Sequence, residues 1–220
     1  MLEKMYLISH AESMANENKG FIGGRSVESP LSPRGKYQAR LLAERLRDSG
    51  IIFDGWYSST AKRTGQTVDT ICTTTRYPLE RIVRTPDLLE LDQGDWEGLR
   101  RADVYTPEIR EKMGRDLLHF QHPNGESRVM AEERALRWLY QDMIPSHSGA
   151  IAGIVGHRLL FKGLIRNLLD WTPQEAYDLV LHNASVTILD YSKGRWELIA
   201  LNDTSHLPEG KMIENPVLLD

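Results

Sequence analysis

The chain has 220 residues, 40% of them hydrophobic and 26% charged, a length that fits one compact domain carrying an inserted subdomain. Five Trp, eight Tyr and four Phe anchor a core and argue against a disordered chain, while a formal net charge of −4 gives polyanions no general attraction and argues against nucleic-acid binding. The single cysteine, Cys72, allows neither an internal disulfide nor a thiolate metal cluster and reads as a small core residue of a helix.

Residues 5–8 form a short apolar run, too short for a secretory signal, and it reads as a buried strand. A polar, glycine-rich stretch over 11–29 follows as a long loop. Ser32 as N-cap and Pro33 at the first helical position open a helix whose apolar face is Ala39, Leu42, Ala43 and Leu46, and Gly50 closes it. A second strand is expected over 51–57, ending at Ser58 and Ser59, then a helix over 61–74 with Val68, Ile71 and Cys72 on one face. Residues 82–84 give a third short strand. Leu88, Leu89 and Glu90 then lead into a turn-rich segment over 92–98.

Residues 99–125 are charged and broken by Pro107, Gly114 and Pro123, the pattern of an inserted cap of short helices. Ser127 opens a helix that presents Ala131, Ala135, Trp138 and Leu139 and is expected to stop near Pro145. A doubly buried strand is predicted over 150–155, a helix over 161–169, another from Thr172 and Pro173, and a hairpin of 185–191 with 195–202 across 192–194. The tail after His206 reads as irregular. Strands alternating with helices define an α/β fold with three layers, αβα: a mainly parallel sheet, an antiparallel edge from the last hairpin and a small helical cap insertion, all in one domain over 1–220. The most apolar window, 150–169, contains His157, Arg158, Lys162 and Arg166, so no membrane span is expected and the expected location is the cytoplasm.

His10 and His157 each stand directly after an apolar strand, at the sheet edge where such folds place ligands, and each precedes a loop or helix start whose free N–H groups favour an anion. His119 and His122 are three residues apart, but with no third ligand in view no metal site is expected. Further residues complete a spaced set. It comprises Leu7-Ile8-Ser9-His10-Ala11-Glu12-Ser13, Asn16, Pro30 to Gly35, Ser58-Ser59 with Lys62-Arg63 and Gln66-Thr67, Glu90 with Gly94-Asp95-Trp96-Glu97-Gly98, Gly125-Glu126-Ser127, and Val155-Gly156-His157.

Taken in this order, the set resembles the histidine phosphatase superfamily, the phosphoglycerate mutase-like proteins, from Leu7 to about Leu189. The resemblance implies the α/β fold with a cap. It also implies hydrolysis of a small phosphorylated metabolite by way of a phosphohistidine at His10, with Arg63 and His157 binding phosphate and Glu90 giving the leaving group its proton. Ser9, Ser13, Asn16 and Arg158 fall at the substrate-binding positions. The segment from Gly94 to Gly98 is closer to the phosphatase branch than to the Tyr-Gly-Gly-like run of the mutases. No cofactor is implied. The partner is a small phosphorylated or other anionic molecule, and oligomeric state is left open, a homodimer included.

The chain departs from the family's pattern at two points. Ser9-His10-Ala11 stands where members carry Arg-His-Gly, and Arg158 follows His157 where members carry a small residue. Loss of one charge-assisted phosphate contact commonly costs on the order of 10²–10³ in rate. Arg158 is a candidate replacement. Two further readings stay open at this point: a non-catalytic relative that binds an anion or a partner, and an enzyme using the pocket for acid–base chemistry without a phosphoryl group.

Overall fold

The computed structural model describes residues 2–191 and 193–208. In chain order its elements are β1 (Lys4–Ser9), α1 (Met14–Glu17), α2 (Pro33–Asp48), β2 (Gly55–Ser59), α3 (Lys62–Thr75), β3 (Val83–Thr85), α4 (Arg101–Val104), α5 (Pro107–Arg115), α6 (Arg128–Arg137), α7 (Ile144–Ser146), β4 (Ile151–Gly156), α8 (Arg158–Leu169), α9 (Pro173–Asp178), β5 (Val186–Asp190) and β6 (Glu197–Asp203). The six strands make one sheet in the order β3-β2-β4-β1-β5-β6. Its first four strands run parallel, and β5 and β6 add the antiparallel edge.

Both sheet faces are covered, and the strand period of two assigns each side chain to its face. Met5 and Leu7 of β1 join Ile154 and the apolar stripes of α6 and α8 in one core. Tyr6 and Ile8 join Trp56, Val155 and the stripes of α2 and α3 in the other. Cys72 lies in this second core, where burial pushes its thiol up to about 12.

Helix starts follow the sequence closely. Ser32 accepts the Gly35 N–H and Ser127 the Met130 N–H, and Thr172 makes a capping box with Glu175. Gly35 is required there, because a Cβ would overlap the Glu12 carbonyl that α2 packs against. Two expectations are corrected. Residues 51–54 are not strand: Ile52 is exposed, and the Asp54 carboxylate instead accepts the N–H groups of Ala150 and Ile151 at the start of β4. Within the loop over 11–29 lies α1, opened by a capping box between Ser13 and Asn16. The helix from Ser127 ends one residue past Pro145, as expected, after widening into a π-type turn over Trp138–Met143. The expected cap contains α4 and α5, and the hairpin forms as β5 and β6. Ser192 in its turn and the tail beyond 208 lie outside the described residues. Among the described residues no helix is long and apolar enough to cross a membrane.

Candidate active site

Strand register decides which side chains meet. Ser9 of β1 pairs with Gly156 of β4, so the next residues, His10 and His157, leave neighbouring parallel strands at the same level. Their ring centroids are 5.2 Å apart. On the other side of β4, β2 brings Ser59 to this edge, and α3 begins three residues later with Arg63 turned inward and 3% exposed.

Hydrogen bonding fixes the tautomers. His10 Nδ1 lies 2.7 Å from the Ala11 carbonyl and donates to it, leaving Nε2 with a lone pair. Arg63 Nε donates to that Nε2 at 3.1 Å. Arg63 Nη2 donates to His157 Nδ1 at 3.1 Å, so His157 carries its proton on Nε2, which donates to Ser59 Oγ at 2.8 Å. The remaining guanidinium nitrogen, Nη1, donates to the carbonyls of Arg25 and Ser26 at 2.8 and 2.9 Å. Burial first, and the Arg63 charge next, hold both imidazoles well below the usual histidine range, so both are neutral. Arg63 thus spends its donors on neutral acceptors and contacts no carboxylate among the described residues.

Glu90 reaches the site from the segment after β3. Its Oε1 accepts the N–H of Leu91 at 3.0 Å and of Leu160 at 3.1 Å, and its Oε2 accepts the N–H of Leu159 at 3.2 Å. The carboxylate therefore caps the first turn of α8, whose unpaired N–H groups and dipole attract negative charge.

A cavity of about 1250 Å³ opens over this floor and is lined by His10, Ser13, Asn16, Arg63, Glu90 and Arg158 among others. Six cationic side chains, Lys19, Arg34, Arg63, Arg101, Arg158 and Lys162, face two carboxylates, Glu12 and Glu90. In a chain of net charge −4 this concentrates positive potential at one opening. Arg158, the first residue of α8, is exposed on its wall and bonds no other side chain among the described residues.

Two of the expected positions need correction. Ser9 is 2% exposed and its hydroxyl faces Ser185 Oγ at 3.3 Å, so it does not line the cavity. His157 is fully buried with both nitrogens engaged, and meets the cavity through Arg63. Ser13 and Asn16 line the cavity while bonding each other, and Asn16 Oδ1 also accepts from Asn183 Nδ2 at 3.3 Å.

Sequence reasoning missed Lys162 and Asn183. Lys162, one turn after Arg158 on α8, donates to the Tyr177 carbonyl at 2.8 Å, and burial lowers it to about 8. The i, i+4 spacing of the two cations was a usable signal. Asn183 donates to the His10 carbonyl at 3.0 Å from far along the chain, and nothing local marks it. No group of three or more His, Cys, Asp or Glu suited to a metal is present among the described residues.

Such a floor, two imidazoles and a guanidinium at the carboxyl edge of a mainly parallel sheet, defines an α/β protein built to hold a small anion. Residues 5–204 match the model of the histidine phosphatase superfamily (branch 1), and the chain belongs to that family. It is similar to the probable phosphoglycerate mutase GpmB of Yersinia enterocolitica, with 30% identity over 213 residues covering 93% of this chain and 94% of that protein. Phosphoserine phosphatase 1 of Hydrogenobacter thermophilus is 27% identical over 208 residues, covering 94% and 95%. A mycobacterial glucosyl-3-phosphoglycerate phosphatase structure superposes with a TM-score of 0.75 at 25% identity, covering 91% of this chain and 98% of that one. Kinship of this extent makes the chain an enzyme of the histidine phosphatase type.

Proposed function

We propose that the protein releases inorganic phosphate from a small phosphorylated molecule through a phosphohistidine at His10. The observation that carries this reading is the fixed tautomer of His10: Nδ1–H is tied to Ala11, and the Nε2 lone pair points at the Arg63 guanidinium on the cavity floor. A phosphoryl group entering between them meets a nucleophile and a cation already aligned.

Nε2 attacks phosphorus as the ester P–O bond breaks, and the departing alkoxide takes the proton that Glu90 picks up when the substrate's negative charge enters beside it. Water then attacks the phosphohistidine, gives its proton to Glu90 and frees phosphate, returning His10 to its starting form. On phosphoryl entry Arg63 exchanges its two imidazole bonds for phosphoryl oxygens while the Arg25 and Ser26 carbonyls keep it in place. His157, released from Arg63, turns towards the same oxygens. Arg158, free on the cavity wall, supplies positive charge that Ser9 does not.

The test is phosphate release from p-nitrophenyl phosphate by the wild type and by His10→Asn. Turnover in the wild type and a loss of at least about 10³-fold in the variant is expected. Activity in His10→Asn within about threefold of the wild type would overturn the reading. The same assay with 3-phosphoglycerate, followed for isomerised product, separates release from the transfer activity in the name of GpmB.

A further inference from the structure

Glu90 and the two carbonyls that steady Arg63 all lie on chain outside any helix or strand, in residues 89–93 and 22–30. Such backbone is placed by whichever side chains take up its N–H and C=O groups. Around Glu90, Arg134 donates to the Leu89 carbonyl at 3.1 Å, Arg25 Nε donates to the Glu90 carbonyl at 3.3 Å, and Glu126 accepts the Asp92 N–H at 3.1 Å. In the loop, Glu97 Oε1 accepts the Arg25 N–H at 2.7 Å.

Arg25 is common to both segments. Its carbonyl accepts Arg63 Nη1 at 2.8 Å while its Nε holds the Glu90 main chain, and its Nη1 and Nη2 reach Asp92 Oδ2 at 2.9 Å and Glu126 Oε1 at 3.1 Å. Gly23, Gly24 and Ser26 line the cavity and Arg25 does not, so its guanidinium acts from behind the wall. The backbone on either side of it is held in an unusual shape. Gly24 has a φ of 47°, where a Cβ would meet the Glu97 carboxylate at 2.0 Å, and Ser26 has a φ of 32°. A non-glycine residue keeps such a conformation only where surrounding contacts over-determine it. What these contacts fix is the pair of carbonyls under Arg63. Once a phosphoryl group displaces the two imidazoles, those carbonyls are the contacts that Arg63 keeps.

Resting on the phosphatase reading above, we propose that Arg25 is a positioning residue: it holds the Arg63 guanidinium and the Glu90 carboxyl at one fixed separation, so that both meet the same phosphoryl group. Arg25 itself touches neither the substrate nor the reacting atoms. Without it the cation and the acid shift independently, and a misplacement of about 1 Å costs on the order of 10²-fold in rate. The planar fork of an arginine suits the task because it reaches three partners in different directions, which a single ammonium does not.

Arg25→Met tests both halves, read per folded molecule. The calorimetric dissociation constant of inorganic phosphate is expected to rise at least about fivefold, because Arg63 is misaimed. In kcat/KM, p-nitrophenyl phosphate should gain on phenyl phosphate by at least about fivefold, because phenoxide is the stronger base and its departure leans more on the Glu90 proton. An arginine that only braced the loop would lower the urea midpoint and leave both quantities near the wild-type values. A change below about fivefold in either overturns the proposal. Should the Met variant not fold, Arg25→Lys, which keeps a charge against Asp92 and Glu126, takes its place, with at least about threefold expected in each quantity and less overturning it. Glu90→Gln separates the two readings, since it should raise the same preference for p-nitrophenyl phosphate with Arg25 intact. If it does not, or if the wild type hydrolyses neither ester, the phosphatase reading fails, and the phosphate dissociation constants alone decide whether Arg25 aims Arg63.

Discussion

Two arginine sites show what a cation's partners say about its purpose. Arg166 on α8 holds Glu132 of α6 bidentately, Nε at 2.9 Å from Oε1 and Nη2 at 2.5 Å from Oε2, and the Tyr177 hydroxyl and Asn167 amide complete the carboxylate. Glu132 is 2% exposed, and Gly163 clears the space it occupies. Its charge is neutralised on the spot, and the pair fastens two helices. Arg63, more deeply buried at 3% exposed, contacts only imidazoles and carbonyls, so its positive charge stays available to an incoming anion. The first arrangement is a seam and the second is a site.

Breaking either side sharpens the contrast. Arg63→Met is expected to lower kcat/KM on p-nitrophenyl phosphate by about 10²–10³. It also leaves His10 Nε2, His157 Nδ1 and two backbone carbonyls without their donor, so the loss is read as turnover per folded molecule. A large loss of stability with turnover retained would make Arg63 another seam. Glu132→Ala is expected to do the reverse: it leaves Arg166 uncompensated and costs about 3 kcal/mol by denaturant unfolding. Activity per folded molecule should hold, and a fall in kcat at unchanged stability would contradict the assignment.

A smaller effect is expected from pH. His10 and His157 are held well below the ordinary value of about 6.5 by burial and then by Arg63, so the unfolded chain takes up protons first as pH falls. Their contribution is complete above about pH 6.5 and is lost below it, by about 2 kcal/mol for the two together between pH 6.5 and 5.5. The urea midpoint should drop across that interval. A midpoint that holds or rises would mean that the two imidazoles are already charged in the fold.

Local signals carried much of the fold. Ser32-Pro33, Ser127 and Thr172-Pro173 announced helix starts because a cap is a contact between near neighbours in the chain. Residues 51–54 misled because an apolar run looks like strand, whereas Asp54 is committed to the start of β4, nearly a hundred residues away. At the site, His10, Arg63, Glu90 and His157 were nameable from strand-end position together with the family resemblance, and register brings them together. Direction was not legible: that Ser9 turns to Ser185, and that His157 faces Arg63 and Ser59, depends on pairings across 176, 94 and 98 residues.

The most direct test of the account is to quench the protein in base within its first turnovers of p-nitrophenyl phosphate and to map phosphorylated residues by mass spectrometry. The account predicts a phosphoryl group on Nε2 of His10, labile to acid, stable to base and absent from His10→Asn. Steady phosphate release with no adduct on His10, or with an adduct on another residue, would contradict it.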